Sequence, residues 1–372
     1  MEPVPEVPNQ AEEKSFKPLL RNHISLYIAS KGNLMASITI RDVAKKAGVG
    51  IGTVSRVLNR NPAVREATRL KVLAAIEELE FTPSPVARRL SLGKTMTVAV
   101  IAPFFIRPSY VERGRGLDHI FAESEYDFIL YNVETTVRRD HYFRELARSD
   151  KVDGILIMSL SPTDATVENF KSAGIPAVLV DASHPQLSQV LVDDVLGGYH
   201  ATKHLIDLGH QKIAYISDHM HENPFNFQPV LDRYKGYRQA LEEAGLPFRP
   251  EYHRQGELSR RVAKKLAIEL LTLPDPPTAI FAYSDTQAFG VLRAAEELNI
   301  SIPEGLSVIG YDDIELAEYL NLTTIRQELF QSGYQGAKLL LNEINNPAAQ
   351  TQKIMLPTEL IQRKTTGPCP TA

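Results

Sequence analysis

The sequence predicts an α/β protein in two parts: a small all-α helix-turn-helix headpiece, then a large α/β region of two similar subdomains. Three observations carry this. Two short apolar-periodic stretches meet at Gly48-Val49-Gly50, the pattern of two helices joined by a tight turn. From Thr95 onward, short apolar runs alternate with amphipathic stretches, as parallel strands and their crossover helices do. That region spans 278 of the 372 residues, more than a single core usually holds.

Charge divides the same way. The net charge is −4 overall but +6 over residues 36–94 and zero over residues 1–35, which leaves −10 on the remainder. A small basic segment joined to a large acidic one suits a polyanion-binding module carried on a domain with another task. No apolar run approaches the roughly 20 residues a bilayer span needs, so no membrane partner is expected. The first residues, Met1-Glu2-Pro3-Val4-Pro5, show neither a basic n-region nor an apolar h-region, so no secretory signal is expected. The only cysteine is Cys369. Disulfide scaffolds and cysteine-rich zinc sites are therefore excluded, and a cytoplasmic location is expected.

Taken in order, residues 1–37 read as a disordered extension, Pro/Glu-rich at first and without sustained period. Met35 stands just before the patterned chain and is an alternative start, since Lys31-Gly32 can be encoded by a purine-rich run. The headpiece covers 38–81. Thr39-Ile40-Arg41-Asp42 has the capping-box pattern, and Val43, Ala44 and Ala47 share a face. Beyond the turn, Val54, Val57 and Leu58 face inward from a second helix. A third runs from Glu66 to Leu79 on the stripe Val72, Ala75, Ile76 and Leu79. Residues 82–94 hold a hinge segment. Ser84 suits an N-cap, Pro85 the first helical position and Gly93 the stop. The seven or eight residues between them fall short of the roughly 12–15 an isolated helix needs.

In the α/β region the strand candidates are Thr97–Ala102, Phe128–Tyr131, Gly154–Met158, Ala177–Val180, Val190–Val192, Lys212–Ile216, Thr278–Tyr283 and Ser307–Gly310. Helical patterns cover Leu196–Leu208, Arg233–Ala244, Arg260–Leu271 and Thr286–Leu298.

Several stretches together carry a family resemblance. Thr39-Ile40-Arg41-Asp42-Val43-Ala44, Ala47-Gly48-Val49, Thr53-Val54-Ser55-Arg56-Val57-Leu58-Asn59 and Pro83-Ser84-Pro85-Val86-Ala87-Arg88-Arg89-Leu90 resemble the headpiece and hinge of the lac repressor/galactose repressor family of bacterial transcription regulators. Leu208-Gly209-His210, Arg233-Tyr234-Lys235-Gly236-Tyr237, Ser307-Val308-Ile309-Gly310-Tyr311-Asp312-Asp313 and Leu322-Thr323-Thr324-Ile325-Arg326-Gln327 extend the resemblance to about residue 362. It implies a periplasmic-binding-protein-like pair of effector subdomains. The N-terminal one would hold 95–207 and 325–343, the C-terminal one 208–324 and 344–362, with 363–372 a tail. It also implies homodimers on near-palindromic double-stranded operator DNA.

The second helix would then enter the major groove. Ile51 offers an apolar contact to a thymine methyl, and Arg56 can grip guanine O6 and N7. Ser55 is placed for a base, Thr53 and Asn59 for phosphates. Gly52 lacks a side chain where the family usually reads a base, and Gly50 and Arg65 stand where Ser usually caps. Thr39, Thr68 and Arg88 complete the expected DNA contacts. In the hinge, Ala87 would allow close approach and Leu90 would wedge into the minor groove.

Ligands of open α/β sheets bind beyond the carboxyl ends of strands, which points to Pro103–Tyr110, Ser159-Leu160-Ser161, Tyr283–Thr286 and Tyr311-Asp312. A saccharide needs carboxylate and guanidinium groups for its hydroxyls and an aromatic face beneath its ring. Arg233 and Asp312 match effector positions of the family, and Ser284 stands where some relatives carry Asn. Phe104 and Tyr110 are candidates for the aromatic floor, with Phe105, Phe225 and Phe227 beside them. No cofactor, metal or catalytic residue is expected. Gly48-x-Gly50-x-Gly52 has the wrong spacing for a dinucleotide turn. His200 and His204 stand four apart on a helix, but no acidic residue lies between them, and no Gly-x-Ser-x-Gly elbow exists. The reading is a DNA-binding regulator, a repressor controlled by a small saccharide-like effector. The rival is a sugar-binding protein or sugar-processing enzyme on the same fold.

Overall fold

The computed structural model describes residues 38–59, 61–81, 93–148, 151–220 and 224–370. The extension 1–37 and the hinge residues Ala87, Arg88 and Leu90 lie outside them. The chain divides into two compact units, residues 1–92 and 93–372.

The first unit contains α1 (Ile40–Ala47), α2 (Ile51–Leu58) and α3 (Glu66–Glu78). The capping box forms: the Asp42 carboxylate accepts the Thr39 N–H at 2.9 Å and its hydroxyl at 2.7 Å. Gly48 ends α1 at φ 66°, a left-handed turn that glycine makes without steric cost. Val43, Ala44, Val54, Val57, Val72 and Ala75 form the core between the helices. Gly50 and Arg65 cap α2 and α3 without a side-chain hydrogen bond.

The second unit runs β1 (Thr97–Pro103), α4 (Pro108–Ala122), β2 (Asp127–Val133), α5 (Thr136–Leu146), β3 (Gly154–Met158), α6 (Asp164–Ser172), β4 (Ala177–Val180), β5 (Ser188–Val192) and α7 (Asp194–Asp207). It continues with β6 (Ile213–Ser217), α8 (Gln228–Glu243), β7 (His253–Gln255), α9 (Arg260–Leu271), β8 (Ala279–Ala282), α10 (Asp285–Glu297) and β9 (Ser307–Ile309). Last come α11 (Glu315–Tyr319), β10 (Thr324–Arg326), α12 (Leu329–Asn345), β11 (Lys353–Leu356) and β12 (Glu359–Ile361). One parallel sheet has the order β11-β5-β4-β3-β1-β2, the other β7-β6-β8-β9. Helices cover both faces of each sheet's centre, so β1, β3 and β4 are buried along their whole length. Edge strand β2 is only partly buried.

Two features differ from the expected division. β11 pairs in parallel with β5, so residues 353–356 belong to the larger sheet and not to the C-terminal subdomain. Helix α7 packs on α8: a Cβ at Gly198 would lie 2.3 Å from the Arg233 carbonyl oxygen, and one at Gly236 2.0 Å from that of Val195. The chain therefore passes to the smaller lobe before α7, not near residue 207. Strands β7, β10, β11 and β12 were not among the candidates. The segment expected as a tail is a packed strap. Thr365 and Thr366 are buried. The Val308 N–H donates to the Thr365 carbonyl at 2.7 Å, and the Cys369 N–H to that of Leu208 at 2.8 Å. His204 Nε2 lies 2.9 Å from the Thr366 hydroxyl, and fully buried His210 sits 3.1 Å from the Gly367 carbonyl.

Candidate functional site

Helix α2 buries Val54 and Val57 and turns its opposite side outward. Residues 51, 52, 55, 56 and 59 fall on that side by helical spacing. Ile51 is 45% exposed, a degree that Ile38, Leu70 and Leu73 of the same unit share or exceed. Gly52, Arg56 and Asn59 are exposed, while Thr53 and Ser55 are half-buried. Arg56 Nε donates to the Gly52 carbonyl at 3.1 Å. Thr39 is exposed beside its capping partner, and Thr68 is half-buried on α3. Ile51, Gly52, Ser55, Arg56 and Asn59 thus share one outward side of the helix, with an apolar side chain and a cation on it, while Thr39, Thr53 and Thr68 stand apart from that side.

In the second unit the two lobes each send one buried arginine to a shared cleft, by the same device. In the larger lobe α4 crosses α12 through glycines: a Cβ at Gly333 would meet the Arg113 carbonyl at 1.9 Å, and one at Gly116 the Phe330 carbonyl at 2.0 Å. In the smaller lobe Gly198 sits against the Arg233 carbonyl. Both arginines precede their own helix's crossing glycine by three residues, Arg113 before Gly116 and Arg233 before Gly236. One helical turn then separates the close approach from the cation.

Acidic and hydroxyl groups come from the strand ends. Phe104, Ser159, Asp181 and Asp312 follow β1, β3, β4 and β9 with φ of 43°, 52°, 60° and 122°. Non-glycine residues rarely hold such values unless their surroundings fix them, and they concentrate at functional sites. Here the Asp312 N–H donates to the Ile325 carbonyl at 2.8 Å, and that of Ser159 to Val180 at 2.8 Å.

A polar chain then crosses the cleft. The Ser159 hydroxyl donates to Asp181 at 2.5 Å. Asp181 lies 3.2 Å from Arg113 Nη2, which donates to the Gln327 side-chain oxygen at 3.0 Å. The Gln327 amide donates to Asp312. Asp312 lies 3.5 Å from Arg233 Nη1, and Arg233 Nε donates to Asp194 at 2.7 Å. Tyr311 and Tyr283 flank the Arg233 guanidinium, their ring centres 3.6 and 4.6 Å from its central carbon. The network nearly fills the cleft, leaving a cavity of about 40 Å³. Burial pushes Asp312 up to about 6, against the pull of Arg233 and Arg113. Burial and the neighbouring Asp181 push the Tyr110 phenol up to about 12, so it stays a hydrogen-bond donor at neutral pH.

Of the five cleft residues selected from the sequence, Tyr110, Arg233 and Asp312 line the cavity. Phe104 and Ser284 do not. Phe104 packs edge-on against Phe225 at 5.7 Å and lies under the Arg107 guanidinium at 4.1 Å. The Ser284 hydroxyl caps α10, accepting the Gln287 N–H at 3.2 Å, and the residue is 2% exposed. Arg107, Arg113, Asp181 and Gln327 line the cavity but were not selected. The repeated arginine-x-x-glycine spacing was a visible signal for Arg113. Among the described residues no cluster of metal-ligating side chains occurs, and no helix is long and apolar enough to cross a membrane.

Known proteins resemble the chain along nearly its whole length. The family described as "Bacterial regulatory proteins, lacI family" matches residues 39–84. A "Periplasmic binding protein-like domain" matches residues 202–366. Catabolite control protein A of Priestia megaterium is 34% identical over 334 residues, 89% of this chain and 99% of that protein. A LacI family transcriptional regulator from Enterococcus faecium, solved with bound ribose, is 35% identical with a TM-score of 0.66, over 73% of this chain and 99% of that one. The lac repressor dimer bound to operator and an anti-inducer is 27% identical with a TM-score of 0.75, over 89% of this chain and 99% of that one.

Proposed function

The chain belongs to the lacI family of bacterial regulatory proteins, and on that footing we propose how its two units divide the work. It is a DNA-binding transcriptional regulator under allosteric control by a small molecule, and not an enzyme. We assign operator reading to the outward face of α2, with Ile51 and Arg56 on base edges and Thr39, Thr53, Ser55, Asn59 and Thr68 in supporting contacts. We assign effector binding to the cleft, where Arg113, Arg233, Asp181 and Asp312 serve the hydroxyls of a saccharide and Tyr110 donates. The protein acts in the cytoplasm as a homodimer on two half-sites.

The observation that carries the effector assignment is the convergence of one buried arginine–carboxylate pair from each lobe on a single cleft. Bidentate groups of both signs are what adjacent hydroxyls require, and a relative solved with ribose supports the class. The test pairs fluorescence anisotropy of labelled operator DNA with calorimetric titration of ribose. Operator affinity should fall steeply with salt and shift when ribose is added. Salt-independent retention, or ribose binding that survives Arg233→Ala unchanged, would refute the assignments.

A further inference from the structure

We propose that the larger lobe carries a second small-molecule site, between α5 and α6, that takes a phosphorylated sugar or polyol. The cavity there holds about 270 Å³, against about 40 Å³ left in the interlobe cleft. It is walled by one lobe only, so it needs no movement between lobes to form. Phe143 is the one apolar residue of its lining; the rest are charged, hydroxyl or amide side chains. Such a wall suits a hydrated, polyhydroxylated ligand and not an aromatic or lipid one.

Its charge is unbalanced. Arg139 pairs with Asp140, its sequence neighbour, at 2.8 Å. Glu145, the other acid of α5, is held by Lys151 and by His141. Arg144 is left with no hydrogen bond or ion pair among the described residues. A guanidinium fork in a concave site matches a phosphate bidentately. The same lining includes Ser161, Thr166 and Asn169, residue types whose hydroxyl and amide groups can serve ligand hydroxyls as donors and acceptors. The Thr163 hydroxyl, 3.0 Å from that of Thr166, fixes the latter's position.

The test is calorimetric titration of the full chain with ribose 5-phosphate, ribose and inorganic phosphate. Ribose 5-phosphate should bind saturably, at least tenfold more tightly than inorganic phosphate. Arg144→Gln and Asn169→Ala should each weaken it fivefold or more, and Arg144→Lys, which keeps the charge without the fork, should recover part of the loss. The cleft variant Asp312→Asn should leave a saturable ribose 5-phosphate site while reducing binding of free ribose. Arg144 is exposed on its helix, so its variants should melt at the wild-type temperature. Absence of saturable binding overturns the proposal, as does equal affinity for inorganic phosphate. Binding lost in Asp312→Asn but kept in Arg144→Gln would place the ligand in the cleft and also overturn it. Failure of ribose to bind at all would strike the cleft assignment and leave this one standing.

Discussion

Arginine does opposite work in the two units. Arg56 on α2 is exposed and held only by its Nε on a backbone carbonyl. Arg233 on α8 is 3% exposed, bonded to Asp194 and the Tyr283 carbonyl, with Asp312 at 3.5 Å. The first is an open cation, accessible to a partner from outside. The second is already part of a closed network, so a ligand there has to exchange contacts instead of merely adding them. An exposed cation suits a dense polyanion, where binding draws on counterion release. A closed network suits a neutral polyhydroxyl ligand, which can substitute for protein groups one hydrogen bond at a time.

The largest expected effect breaks the closed network. Arg233→Ala leaves Asp194 and Asp312 buried without their cation, and removing one partner of a buried pair costs about 3–5 kcal/mol. Urea unfolding of the full chain should show this loss in the effector unit. Arg56→Ala should leave the unfolding curve unchanged and instead cost about 1–3 kcal/mol of discrimination at one base position. Binding to a set of single-base operator variants reads this. A uniform loss across all of them would make Arg56 a phosphate contact.

The same contrast explains what was legible in the sequence. The headpiece could be read almost residue by residue, because its signals are local: a capping box at Thr39 and Asp42, a glycine turn and an apolar stripe three or four residues apart. The main strands were legible from their apolar runs, as at Gly154–Met158 and Ala177–Val180, which the structure reproduces. The short strands β10 and β12 were not, since three residues carry no period and their pairing joins positions 324–326 to 359–361. The cleft was half legible. Arg233 and Asp312 stood in recognisable motifs. Asp181 and Gln327 depend on which strand ends and crossovers meet in space, which local pattern does not encode. Ser284 shows the converse: it lies in the right loop, yet its hydroxyl is turned to cap a helix.

Glycines sharpen the comparison further. Gly236→Ala would place a methyl 2.0 Å from the Val195 carbonyl oxygen, so α7 and α8 must move apart. Overpacking of this kind costs about 1–3 kcal/mol, and because α8 carries Arg233, ribose affinity should fall with stability. A lowered melting temperature with unchanged ribose binding would mean the helix crossing does not set the arginine's position.

Protonation gives a smaller, graded test. The ordinary Asp value is near 3.8, and burial raises Asp312 to about 6. The folded state therefore holds this proton more tightly than the unfolded state, and Asp312's contribution to stability grows as pH falls from about 6 towards 4. Effector binding should run the other way. If ribose hydroxyls donate to the Asp312 carboxylate, affinity should drop roughly tenfold between pH 7 and pH 5 as that carboxylate is lost. A flat titration over this window would remove Asp312 from the hydroxyl contacts.

The smallest expected effect lies on the reading helix. A Cβ at Gly52 meets nothing within 4 Å, the opposite of Gly236. Alanine is favoured over glycine in a helix by roughly 0.5–1 kcal/mol, so Gly52→Ala should slow amide exchange in α2 by a few-fold. Its effect on operator binding then separates two reasons for the glycine. If the backbone at Gly52 lies close against the bases, the added methyl must clash there, and the variant will be more stable yet bind more weakly. If both stability and binding improve, close approach is not why glycine stands at this position. Base reading would then rest on Ile51 and Arg56 without help from the backbone between them.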